Sequence, residues 1–129
     1  MIKSYIMDTD ENVRITNHFK VKEFASKDGS PVVFIDDYMV TLLEILRQTI
    51  NKPIIITSGY RTPARNKFVG GAKYSYHMRG CAADIRVNGM KPKDVAKELN
   101  KIVPNNCGII VYENWVHFDT RTYKYRKGV

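Results

Sequence analysis

The sequence predicts an α+β fold, a small antiparallel sheet flanked by helices. Three observations carry that expectation: two segments with helical periodicity, four short apolar runs of strand length, and a tight turn joining the last two runs.

Residues 1–18 are mixed and polar and read as a loosely held lead-in. The stretch from Phe19 to Ser30 ends in Lys27-Asp28-Gly29-Ser30, followed by Pro31, which is turn chemistry. Asp36 and Asp37 open an amphipathic helix to about Asn51. Its apolar residues Met39, Leu42, Leu43, Leu46 and Ile50 recur at three- and four-residue steps, and acids suit a helix N-terminus. Pro53 blocks continuation, and Ile54 to Ile56 reads as a buried strand. Ser58-Gly59-Tyr60-Arg61-Thr62 forms a turn, with Pro63 placed to start a short helix to Val69 that Gly70-Gly71 ends. A second strand spans Ala82 to Val87. A second amphipathic helix runs from Lys91-Pro92 through Val95, Leu99 and Ile102. Two strands, Cys107 to Tyr112 and Trp115 to Thr120, follow around Glu113-Asn114.

At 129 residues the chain fits one domain, read as a core over 19–121 between the lead-in and a basic tail, 122–129. A composition 43% hydrophobic and 26% charged excludes a disordered chain. The formal charge of +8 favours polyanionic partners, either nucleic acid or a bacterial wall rich in phosphate and carboxylate. The tail residues Arg121, Lys124, Arg126 and Lys127, with Tyr123 and Tyr125 interleaved, are a weak nucleic-acid signal. They read first as a solvated terminus, and no specific nucleic acid is expected. Cys81 and Cys107 form no metal-type pair and sit in apolar runs, as buried thiols do. No signal peptide and no membrane span is legible, so synthesis in the cytoplasm and a monomer are expected.

His77, Asp84 and His117 stand out as candidate metal ligands. A catalytic zinc takes three protein ligands of these types and leaves a fourth position for water. The gap from His77 to Asp84 crosses a bend at Met78-Arg79-Gly80, and His117 lies mid-strand. Strand alternation puts Glu113, Trp115, His117 and Asp119 on one face. From spacing alone, each histidine is equally readable as a core or surface residue. His18 matches no site motif and reads as structural or exposed.

Ser75-Tyr76-His77-Met78-Arg79-Gly80-Cys81-Ala82-Ala83-Asp84 resembles the S-x-H-x-x-G-x-A-x-D signature of the zinc D-Ala-D-Ala carboxypeptidase superfamily. That group includes L-alanyl-D-glutamate endopeptidases of phages and the hedgehog signalling domain. Ser58-Gly59-Tyr60-Arg61 resembles its S-G-Y-R segment, and Val69-Gly70-Gly71-Ala72 its V-G-G-A link. Val116-His117-Phe118-Asp119 resembles the V-H-x-D close of one branch. The four motifs keep the family order across nearly the whole chain.

The resemblance implies a hedgehog-like peptidase fold, zinc on His77, Asp84 and His117, and Arg61 binding substrate and polarising its carbonyl. It implies Ser75 as a loop-fixing or substrate-bonding residue. Where several relatives carry a carboxylate three residues before the last histidine, this chain has Asn114. Asp119 is therefore the first candidate for the general base and Glu113 the second, with Asp119 alternatively orienting His117. Trp115 either lines the cleft, contacting substrate, or fills core. The implied activity is zinc-dependent hydrolysis of peptidoglycan stem peptides, by a carboxypeptidase or an endopeptidase such as a phage lysin released onto the wall. Two rivals stand beside it: a non-catalytic zinc-containing binding module of the same fold, and a basic nucleic-acid-binding protein.

Overall fold

The computed structural model describes residues 1–129. Strand β1 (Ile2–Ile6) pairs antiparallel with β4 (Val32–Asp36), and between them lie α1 (Met7–Asp10), β2 (Arg14–Thr16), β3 (Phe19–Lys20) and a 3₁₀ turn at Val21–Phe24. The lead-in is thus tied down, contrary to the sequence expectation. Its strand is held by backbone bonds to β4 while its side chains stay largely exposed, so it lacks the apolar alternation by which strands are recognised. On β4, Val33 and Ile35 are buried and Phe34 between them is exposed, the alternation of a one-sided strand.

Helix α2 (Asp37–Ile50) begins where Asp36 accepts a hydrogen bond from the Tyr38 amide, 3.1 Å away, and ends at Asn51 in the left-handed region with φ 52°. Met39, Val40, Leu42, Leu43 and Leu46 are buried. Strand β5 (Ile55–Ser58) leads to α3 (Pro63–Phe68), with Thr62 capping through its hydroxyl. A 3₁₀ turn at Tyr76–Arg79 precedes β6 (Ala82–Arg86). Helix α4 (Pro92–Ile102), β7 (Gly108–Val111), β8 (Val116–Asp119) and β9 (Tyr125–Lys127) complete the chain.

The main sheet has the order β5-β6-β8-β7-β9, antiparallel except for the β7–β9 pair, which is parallel. The α+β expectation and all four predicted strands stand. The tail is the exception, since Tyr125–Lys127 adds an edge strand instead of running free. Helices α2 and α4 pack on one another, α4 covers β7 and β8, and one cluster of 23 buried apolar residues joins both helices to the sheet. Cys81 and Cys107 are buried free thiols, pushed by burial up to about 11. No helix is long and apolar enough to cross a membrane.

Candidate metal centre

The register of the sheet brings the first two candidates together. Asp84 on β6 is the cross-strand partner of His117 on β8, and such pairs stand about 5 Å apart at Cβ. His77 comes from outside the sheet, on the 3₁₀ turn that precedes β6. That turn is built locally: the Ser75 hydroxyl accepts from the His77 amide at 3.2 Å, and Gly80, with φ 77°, reverses the chain at its end. The loop before α3 lies against it, where the Arg61 amide donates to the His77 carbonyl at 3.1 Å. Ser75 is thus bonded within its own turn.

Ligand atoms of His77, Asp84 and His117 all lie within 4.8 Å of one another. His77 Nδ1 is 2.7 Å from the Gly59 carbonyl oxygen. That oxygen can only accept, so Nδ1 carries the proton and Nε2, 3.3 Å from Asp84 Oδ1, presents a bare lone pair. His117 repeats the pattern with the ring reversed. Its Nε2 is 2.7 Å from Asp119 Oδ2, and Nδ1 lies 3.0 Å from Asp84 Oδ1. With both rings neutral, one carboxylate oxygen faces two lone pairs, an arrangement that only a cation, whether proton or metal, can hold together. The donor set fits a divalent metal that accepts imidazole and carboxylate.

Proton affinities report the same field. Burial pushes the Asp84 carboxyl up, but the His117 and His77 rings, which donate to it when protonated, outweigh that and bring it to about 2. Burial pushes His117 down, and bonds to Asp119 and Asp84 outweigh that and raise it.

Around the centre runs a cleft of about 400 Å³, lined by Arg61, Tyr76, Tyr112, Trp115 and Arg121 besides the three donors. Arg61 is steered by its neighbours: Nε donates to Ser58 Oγ at 3.2 Å, Nη1 to Asn66 Oδ1 at 3.3 Å, and Nη2 stands 3.5 Å from Asp84 Oδ2. The residue lines the cleft. Trp115 lines the cleft too, stacked on Tyr112 with ring centroids 4.7 Å apart, and does not fill core.

The two carboxylates expected as general base are placed otherwise. Asp119 is fully buried, and both its oxygens are taken, by Arg121 and His117, which hold it below the ordinary carboxylate range despite its burial. It has neither a free lone pair toward the cleft nor access to water. Glu113 lies at the hairpin turn and lines a separate depression with Arg86, Asn88 and Pro92. Strand alternation failed there because the turn has already left the pleat. His18, as expected, is structural: its amide and ring bond Glu44 at 2.8 and 2.6 Å.

Sequence reasoning missed Arg121 as a cleft residue. Its period-two spacing from Asp119 and His117 was the available signal, since alternate residues of an extended chain share a face.

Residues 17–119 match the family described as Peptidase M15. The chain is also similar to the peptidoglycan L,D-endopeptidase MepK of Escherichia coli K12, 30% identical over 115 residues, which cover 85% of this chain and 62% of that protein. The Shigella flexneri protein of the same name gives the same figures. A probable peptidoglycan L,D-endopeptidase MepK of Haemophilus influenzae is 31% identical over 84 residues, 61% of this chain and 45% of that one. The chain thus spans less than two thirds of the length of these relatives.

Proposed function

The chain belongs to the peptidase M15 family, and from that premise we propose that residues 1–129 form one zinc-dependent peptidase domain acting on peptidoglycan stem peptides. One observation carries the proposal: two histidine nitrogens and a carboxylate, each bare toward a common point, at the floor of an open cleft. The named relatives favour an internal bond between an L- and a D-residue over a terminal D-Ala.

When bound, zinc would polarise the scissile carbonyl and lower the pKa of the attacking water toward about 7. His77 Nε2, Asp84 and His117 Nδ1 would hold it, with the Gly59 carbonyl and Asp119 each fixing the far side of a ring. Arg61, anchored by Ser58 and Asn66, offers its free N–H groups to the oxygen on which charge develops. Burial weakens its hold on its proton, yet an arginine keeps its charge, so the donor is permanent. Ser75 and Trp115 border the space a peptide would occupy.

One observation favours a second reading. Asp84 is the only carboxylate lining the cleft, so no side chain of that type is free to take the proton of an attacking water. That lack suits a non-catalytic zinc-binding module of the same fold.

The deciding experiment is metal analysis of the purified chain beside His77→Ala, with hydrolysis of muropeptides before and after chelation. About one zinc per chain, lost with His77, and cleavage lost with zinc, is the expected result. Fragment masses then name the bond. Zinc without cleavage establishes the binding module, and a wild-type chain that binds no metal overturns both readings.

A further inference from the structure

Arg121 stands two residues past Asp119, in the basic segment expected to be a solvated terminus. Its side chain is only 10% exposed. Nε lies 2.8 Å from Asp119 Oδ1, Nη2 2.7 Å from Oδ2, and the backbone amide 3.1 Å from Oδ1. This is the two-pronged guanidinium–carboxylate pairing that fixes orientation as well as charge. The guanidinium carbon is 4.6 Å from the ring centres of Tyr76 and Tyr125 and 5.3 Å from that of Tyr123, and Nη1 donates to the Tyr123 hydroxyl at 3.3 Å. Three aromatic rings thus surround the cation. The backbone leaves room for the pair at Gly108, where a Cβ would stand 2.5 Å from Arg121 Nε and 2.6 Å from Asp119 Oδ2.

Two of these contacts lead to the centre by one intermediate. Asp119 holds the His117 ring, and Tyr76 precedes His77 on the 3₁₀ turn. One guanidinium therefore braces supports of two donors that come from different elements. The residues beyond the last metal-ligand candidate are tied to the site by the same group, since Tyr123 and Tyr125 lie in the tail.

We propose that Arg121, clamped by Tyr76, Tyr123 and Tyr125, is a positioning residue of the metal centre, locking Asp119 so that His117 keeps Nδ1 aimed at the metal. The inference rests on the metal reading of this site. A purely structural ion pair would change fold stability and leave metal affinity alone, and that difference is measurable.

Zinc affinity is measured on the full chain by competition with a chromophoric chelator, alongside the thermal midpoint of each metal-free protein. Arg121→Ala is expected to weaken zinc by about 10- to 100-fold, the usual effect of losing an outer-shell partner. Arg121→Lys keeps the charge but loses one prong, and falls between. Asp119→Ala/Arg121→Ala is expected to bind zinc more weakly than Asp119→Ala by less than the full Arg121→Ala loss, because part of the Arg121 effect passes through Asp119. Cobalt(II) bound to Arg121→Ala should show a shifted d–d spectrum. Wild-type affinity in Arg121→Ala, or fully additive losses in the double variant, overturns the proposal. If Arg121→Ala fails to fold, Arg121→Lys decides: weaker zinc binding supports the brace and unchanged binding overturns it. Absence of zinc from the wild-type chain itself would instead sink the metal reading, and this inference with it.

Discussion

Resemblance to the S-x-H-x-x-G-x-A-x-D signature made the three candidate donors legible, since spacing alone left each histidine readable as a core or surface residue. What spacing could not supply was the direction of each side chain. Asp119 was the first candidate for the base and Glu113 the second, and geometry sets both apart from the cleft: Glu113 lies at a turn outside it, and Asp119 is enclosed by Arg121 and His117. Glu113→Gln should accordingly leave kcat/KM for a cleaved muropeptide within about twofold of wild type, as surface changes away from a site do. Arg61→Ala should lower kcat by about 100-fold or more with a smaller change in KM, the pattern of a lost oxyanion donor. Steady-state kinetics on the zinc-loaded protein checks both, and a Glu113→Gln protein as impaired as Arg61→Ala would contradict the placement of the base.

Among the elements, α2, α3, α4 and the four strands β5 to β8 followed from periodicity and from proline and glycine punctuation. The short strands β1, β4 and β9 did not, because their stability comes from partners distant in sequence. The 3₁₀ turn bearing His77 depends on one glycine. Gly80 has φ 77°, and a Cβ there would stand 2.3 Å from the Phe34 carbonyl oxygen. Gly80→Ala should destabilise by at least about 2 kcal/mol in urea unfolding, from left-handed strain and collision together, and should weaken metal binding because the turn shifts.

The β2–β3 hairpin is joined to α2 by Glu44. Burial raises its carboxyl, but bonds from the His18 ring and amide and from Gln48 outweigh that and bring it from 4.5 to about 2. A folded value below the unfolded one stabilises above the unfolded value, and the gain fades as pH falls from 4.5 through about 2. The stability gap between wild type and Glu44→Gln should therefore be wide at neutral pH and shrink near about pH 3. Urea midpoints at the two pH values measure it, and a gap independent of pH would refute the ionic account.

Across the whole molecule, charge is unevenly distributed along the chain. Between Glu44 and Asp84 there is no acidic residue, while Arg47, Lys52, Arg61, Arg65, Lys67, Lys73 and Arg79 lie in that interval. Arg61 lines the cleft and Lys67 and Lys73 are exposed on the segment that forms one of its walls. Such a field concentrates anionic substrates and is screened beyond a Debye length of about 8 to 10 Å. KM for an acidic muropeptide should rise several-fold between about 50 and 300 mM salt with kcat unchanged, and Lys67→Glu/Lys73→Glu should raise it at low salt. A salt-independent KM would show that the wall plays no part in capture.

The sequence by itself determined the fold class and the order of the main helices and strands, because periodicity is a local property of the chain, and its motifs named the candidate donors. Only the tertiary structure decided which carboxylate is free and which is enclosed. It also drew the first residues into β1 and set Tyr123 and Tyr125 of the basic tail around Arg121. Those outcomes depend on pairing and burial between residues far apart in sequence, where a side chain's neighbours, and not its type, set what it can do.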